Sequence, residues 1–146
     1  MLIGVDPGVS GALAVLDGEA LVDVYDMPTM QDGKRRQVNA AAVAKLIRAH
    51  NPSAVVVEAV HSMPGQGVAS SFAFGQSLGA IHGVVAALGI PLHTVTPQAW
   101  KRRAGLIGTA KDQARAKAQQ LYPGAPLARV KDQGRADAIL IARYWK

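Results

Sequence analysis

The chain has 146 residues and a mass of 15.3 kDa, which fits one compact domain over residues 1–146 and leaves little room for two. With 49% apolar and 18% charged residues and no cysteine, it is neither a disordered tail nor a collagen-like fibre, and it can carry no disulfide, thiolate zinc site or cysteine nucleophile. The net charge is +6, which points towards a polyanionic partner.

The opening reads as three strands. Leu2-Ile3-Gly4-Val5-Asp6 is a short apolar run broken by Pro7-Gly8, with no basic region ahead of a long apolar stretch, so a secretory signal is not expected and a reduced, cytoplasmic location is the default. Gly11 to Leu16 follows, then Ala20 to Tyr25, and the intervening Asp17-Gly18 predicts a hairpin. Met27 to Gln37 reads as a loop, with Pro28, Asp32-Gly33 and the basic triplet Lys34-Arg35-Arg36. Val43, Leu46, Ile47 and His50 stand at helical spacing behind Asn39, a fitting N-cap, and Asn51-Pro52 ends the helix. Ala54-Val55-Val56-Val57-Glu58 is apolar almost throughout, as in a strand covered on both faces, and it ends on a carboxylate.

Residues 61–67 predict a loop, and a long helix starts near Val68 with Phe74, Leu78, Ile81, Val85 and Leu88 on its stripe and Gly89 behind it. No Asp, Glu, Lys or Arg occurs from Ala59 through Trp100. Ser70, Ser71, Gln76, Ser77 and His82 interrupt the apolar character, so a buried central helix is expected rather than a membrane span. Gly75, Gly79 and Gly83 would let another backbone approach closely. Ile90 to Val95 is the last strand, Thr96-Pro97 opens a short helix with Pro at its first position, and Lys101-Arg102-Arg103 closes it. Thr109 is expected to cap a helix running to about Leu121, and a final helix contains Ala136, Ile139, Leu140 and Arg143. Three strands, helix, strand, helix, strand, then helices make an α/β fold with a five-stranded mixed sheet, its first three strands antiparallel, flanked by helices.

Charge divides the chain sharply. Residues 1–100 carry five Lys/Arg against seven acids, a net of −2, whereas residues 101–146 carry eleven against three, a net of +8. A basic third on a near-neutral body suits phosphate contacts, where counterion release drives binding; a solubilising surface is the plainer alternative. Three acids stand where structural residues are normally apolar: Asp6 ends the first strand, Glu58 ends three valines, and Asp137 lies between alanines in the last helix. Buried carboxylates usually pair with a cation or a metal, and carboxylates gathered from separate elements repel one another unless a divalent ion lies between them; the plainer alternatives are a strand-ending turn at Asp6, a distant Arg partner for Glu58 and a solvent-facing Asp137. All-oxygen ligation suits Mg²⁺ or Mn²⁺ and argues against zinc.

The ordered set Ile3-Gly4-Val5-Asp6-Pro7-Gly8 with Ser10-Gly11, Val56-Val57-Glu58 and Arg135-Ala136-Asp137-Ala138 resembles the RuvC-type Holliday-junction resolvases, DNA endonucleases with the ribonuclease H-like fold. Phe74 to Gly79 is similar to a Leu-Gly-Gln segment in the long helix of that family, and Lys101 to Gly108 to its Lys-to-Gly-Ile-Gly segment. The short Lys-Asp-Gln-Gly-Arg-Ala ending looks more like compact phage-type members. The resemblance implies a homodimer that binds four-way junction DNA, uses no nucleotide cofactor and sits on no membrane. It also implies a catalytic site per subunit in which Asp6, Glu58 and Asp137 hold two Mg²⁺ ions, with Mn²⁺ as a substitute, and products with 5′-phosphate and 3′-hydroxyl ends. Family members usually carry Asp or His three residues before the last Asp; here that position is Gly134, and Asp132 is the expected fourth catalytic ligand, with a cap of the final helix as its plainer alternative.

Lys101 matches a DNA-contacting position, with Arg102 and Arg103 beside it, and Lys111 matches a second basic position within one residue. The Lys34-Arg35-Arg36 loop is either a backbone-contacting element or a solvated turn. Met63 or Phe72 could supply the apolar wedge that family members insert at a junction centre, although Phe72 is expected in the core. His61 is the only histidine near a proposed ligand, three residues after Glu58. Competing readings are a less selective ribonuclease H-like nuclease acting on branched DNA or RNA, and a non-catalytic junction-binding protein. An actin-like ATPase or sugar kinase is a further alternative, but it needs two such domains.

Overall fold

The computed structural model describes residues 1–146. Strand β1 (Leu2–Asp6) lies at the centre of a five-stranded sheet of order β3-β2-β1-β6-β7, with β2 spanning Ala12–Asp17, β3 Ala20–Asp26, β6 Ala54–Glu58 and β7 Leu92–Val95. The pairs β1–β2 and β2–β3 are antiparallel, whereas β1–β6 and β6–β7 are parallel. The mixed sheet expected from the alternating pattern is therefore present.

Period-two alternation divides the core into two layers. Ile3, Val5, Leu13, Val15, Val55 and Val57 face α1 (Ala40–His50) and α2 (Val68–Ala87). Ala12, Ala14, Leu16 and Val56 face α3 (Pro97–Ala104), α4 (Asp112–Leu121) and α5 (Gln133–Tyr144). Helix α5 is the pillar of the second layer, with Ala136, Ala138, Ile139, Leu140, Ile141 and Ala142 all buried. It lies directly on the β1 backbone: a Cβ added to Gly4 would sit 2.5 Å from the Ala138 carbonyl oxygen and 2.6 Å from the Ala142 Cβ. Only glycine permits this approach.

Four expectations are corrected. Met27 to Gln37 contains a two-stranded hairpin, β4 (Thr29–Asp32) and β5 (Arg35–Val38), closed by Gly33 at φ 61° in the first position of a two-residue turn. Apart from the buried Val38 the strands are largely polar and exposed, so no apolar alternation announced them. Helix α4 begins at Asp112, because the Thr109 hydroxyl donates to the Leu106 carbonyl (2.7 Å) and closes the preceding turn rather than capping a helix. Helix α2 is not a buried central helix: only Ser77, Ile81 and Val85 are buried. By length and composition it is long and apolar enough to cross a membrane, but here one stripe docks on the sheet and the remainder is open. Phe72, expected in the core, is 71% exposed near its start.

Candidate active site

The sheet's own periodicity assembles the acids. Asp6 follows Gly4 by two residues and Glu58 follows Val56 by two, so both project towards the α5 layer from the ends of adjacent parallel strands. On α5, Asp137 shares a helical stripe with Gly134 and Ile141, and Gly134 is pressed so closely on the loop after β1 that an added Cβ would lie 2.6 Å from the Ser10 carbonyl oxygen. Two close backbone contacts, at Gly4 and Gly134, thus fix the face of α5 that carries Asp137.

Burial is the main perturbation of all three carboxylates, and neighbouring acids add to it at Asp6 and Asp137. Burial pushes the Asp6 carboxyl well above the usual range, Asp137 and Glu58 push it further, and Lys101 opposes them. Burial raises Asp137 to about 6; a hydrogen bond from Gln133 lowers it, Glu58 raises it and Lys101 lowers it. Glu58 is also raised by burial, against a hydrogen bond from Trp100 and the charge of Lys101. The acids are neighbours rather than a closed cage, since no three acid or histidine side chains converge at ligand spacing. Their carboxylate-only chemistry fits a hard divalent cation.

Two supporting residues escaped the sequence reading. Trp100, fully buried in α3, donates from Nε1 to Glu58 Oε2 at 2.6 Å. The Gln133 amide donates from Nε2 to Asp137 Oδ1 at 3.0 Å. The i,i+4 spacing of Gln133 and Asp137 is visible in the sequence; the Trp100–Glu58 pair spans 42 residues and left no local signal. A cleft of about 340 Å³ opens beside Asp137, lined by Gln133, Lys101, Gly108, Thr109 and Lys111 among others.

Asp132 is not brought to this cluster. Its side chain is 2% exposed and forms a two-point ion pair with Arg129, with Nη2–Oδ1 at 2.7 Å and Nε–Oδ2 at 3.2 Å. It also accepts from the Arg129 backbone N–H at 2.8 Å. These bonds hold its carboxyl below the usual range against the opposing effect of burial. The expected fourth ligand is therefore committed to closing the 3-10 turn Val130–Asp132 ahead of α5. Next to it, Arg135 grips Asp26 at the end of β3 through bonds of 2.7 and 3.0 Å.

The basic residues have different placements. Lys101 and Lys111 line the cleft, and the Lys101 ammonium stands 5.5 Å from the centre of the Trp100 ring. Arg102 is exposed on α3, whereas Arg103 donates to the Tyr144 and Trp145 carbonyls and secures the end of α5. Lys34 and Arg35 are exposed on the hairpin, and Arg36 donates to the Val9 carbonyl (2.9 Å), tying the hairpin to the loop after Asp6. Met63 is 64% exposed and, with His61, Phe74 and Pro97, lines a hollow of about 600 Å³ after Glu58.

A central sheet of this order, with carboxylates at the ends of its two middle parallel strands and a third on the helix packed across them, defines a ribonuclease H-like fold. The chain belongs to the family of the crossover junction endodeoxyribonuclease RuvC, whose sequence profile matches residues 2–143. Its fold is similar to that of Thermus thermophilus RuvC in complex with a Holliday junction substrate, at 22% identity and a TM-score of 0.66, covering 97% of this chain and 89% of that one. A second Thermus thermophilus RuvC structure gives 18% identity and a TM-score of 0.62, covering 97% of this chain and 90% of that one. The Fowlpox virus resolvase, in complex with substrate Holliday junction DNA, gives 13% and 0.58, covering 98% and 96%. No curated protein matches the sequence.

Proposed function

We propose that this chain is a single-domain, divalent-metal-dependent endonuclease that resolves four-way DNA junctions as a homodimer. The observation that carries the reading is the gathering of Asp6, Glu58 and Asp137, two strand ends and a helix, beside a cleft lined by Lys101 and Lys111. The cluster has one nearby cation, Lys101, for three acids, which leaves a net negative charge that favours cation binding.

Asp6, Glu58 and Asp137 would hold two Mg²⁺ ions, with Mn²⁺ able to replace them. When bound, such ions supply Lewis acidity and lower the pKa of an attacking water. The chain's own residues do the rest. Trp100 fixes one Glu58 oxygen and leaves the other free. Gly4 holds α5 against β1 and Gly134 holds it against the following loop, so the face that carries Asp137 is fixed. Lys101 and Lys111 offer phosphate contacts at the cleft, and the exposed residues Arg102, Lys34 and Arg35 are further candidates for backbone contacts. Hydrolysis of the phosphodiester consumes water and leaves a 5′-phosphate and a 3′-hydroxyl. Exposed Met63, in the segment after Glu58, supplies an apolar side chain on which an opened base could stack.

Paired cuts on opposed strands need two sites related by a two-fold axis. Support for a dimer comes from α2. Val68 is 88% exposed, and nothing lies within 4 Å of a Cβ added at Gly75, Gly79 or Gly83, so a second backbone can approach along this charge-free face. The test is incubation with an immobile four-way junction, a matched duplex and an RNA–DNA hybrid, with and without Mg²⁺. Symmetric, Mg²⁺-dependent cuts on the junction are expected, and these should be lost in Asp6→Asn while junction binding persists. Equal cutting of duplex or hybrid would mark a less selective nuclease, and binding without cutting would mark a junction-binding protein.

A further inference from the structure

Gln133 is fixed one helical turn before Asp137, on the same face of α5, and both line the cleft. Its side-chain amide makes a single hydrogen bond within the protein, from Nε2 to Asp137 Oδ1 at 3.0 Å. The orientation of the amide follows from this bond: turning it over would set its oxygen against a carboxylate oxygen, two acceptors with no proton between them. The amide oxygen is consequently left without a donor, and it is not buried away from solvent. A half-buried side chain tethered at its nitrogen, with its oxygen free beside a carboxylate cluster, offers a hard, neutral ligand that costs no side-chain ordering when a cation arrives.

Neighbouring positions cannot perform this task. Gly134 has no room for a side chain. Asp132 is held in its two-point pair with Arg129. Arg135 is turned to Asp26. Gln133 is thus the one residue at the start of α5 whose polar atoms meet the acids.

We propose that Gln133 completes the acidic centre: its amide oxygen is a neutral ligand to the divalent cation, while its amide nitrogen holds Asp137. This rests on the metal-dependent reading of the site and specifies the fourth donor. A neutral donor adds an oxygen without adding a fourth negative charge to a cluster that already repels itself.

The test is Mn²⁺ binding to the full chain without DNA, read from the loss of the free Mn²⁺ resonance signal, for the wild type, Gln133→Met, Gln133→Glu and Asp137→Asn. Methionine keeps the length of the side chain and removes its oxygen and N–H; affinity should fall about tenfold. Glutamate separates a ligand from a mere support. A ligand gains a charged oxygen, so Mn²⁺ should bind more tightly than in the wild type. A residue that acts only by donating to Asp137 would repel it when changed to Glu, and affinity would fall. Melting curves check that each variant is folded. Wild-type affinity in Gln133→Met, or weakened affinity in Gln133→Glu, overturns the ligand role. If Asp137→Asn loses Mn²⁺ while Gln133→Met binds normally, this inference alone fails. If neither variant differs from the wild type, the metal-dependent reading of the site fails with it.

Discussion

Asp137→Asn exposes the electrostatic cost of the site. The variant keeps Oδ1 as an acceptor for Gln133 and removes one charge from the cluster. In the folded protein the Asp137 carboxyl titrates at about 6 against an ordinary value of 3.8, a rise of about 2 units, or about 3 kcal/mol. The sign follows from the direction of the shift. A carboxyl whose folded pKa is raised contributes stability that is fully present below about pH 4 and is lost as the pH rises through about 6. The wild type therefore carries this cost at pH 7.5 and the Asn variant does not. An unfolding entropy near 2.1 cal/mol/K per residue makes about 3 kcal/mol worth up to about 10 °C in a chain of this length. Melting followed by fluorescence in EDTA should show the variant about 5 to 10 °C above the wild type at pH 7.5, with the gap closing towards pH 4. Mg²⁺ should narrow the gap by stabilising the wild type selectively, and cleavage should be abolished throughout. A variant that melts lower in EDTA at pH 7.5, or a gap independent of pH, would refute the claim that burial, with Glu58 adding to it, makes the Asp137 charge costly.

The remaining expectations address separate parts of the structure. Trp100→Phe removes the donor that holds the Glu58 carboxyl down, so the acid limb of the pH–rate profile should move to higher pH; an unmoved limb would show that the bond does not tune Glu58. Asp132→Asn should cost about 1 to 3 kcal/mol by weakening a buried charge-assisted pair, with Mn²⁺ affinity unchanged, as chemical denaturation and metal titration can check together. The Asp132 contribution should be present above about pH 4 and fade as the pH falls below it, because its folded pKa is lowered. Junction affinity should drop by about 10³-fold between about 50 and 200 mM salt for a footprint of six or more phosphates, and Lys101→Ala should flatten that slope by about one; salt-independent binding would make the basic third merely solubilising. Gly79→Glu on the open face of α2 should give monomers in sedimentation and abolish paired cuts while leaving the melting temperature nearly unchanged, and an intact dimer would place the interface elsewhere.

The acids were legible because each breaks a local rule. A carboxylate at the end of Val55-Val56-Val57, or between Ala136 and Ala138, has no structural reason to be there, and strand periodicity then determines which face it joins. The β4–β5 hairpin was not legible, since its register is set by the Gly33 turn and its strands bury little besides Val38. Asp132 misled for another reason. Its spacing from Asp137 was compatible with a bend towards the metals, but Arg129, three residues earlier, satisfies the carboxylate first. Helix α2 shows the limit of composition: the absence of charge announced an apolar stripe but not how much of the helix the sheet would cover, and only Ser77, Ile81 and Val85 are buried.

The Gly4 contact has a kinetic consequence. Because α5 rests on the β1 backbone and most of its residues are buried, the element that carries Asp137 can detach only when the core itself opens. Its amides should exchange with solvent at the rate of global unfolding, and those of β1 with them. Glu58 has a different neighbourhood: the chain leaves it into residues 61–65, which are all exposed. Two walls of the site are therefore as durable as the fold, and the third adjoins a surface segment. Adjustment to an incoming DNA strand would begin in that exposed segment, with Asp6, Asp137 and the Trp100-bound Glu58 as the stationary reference.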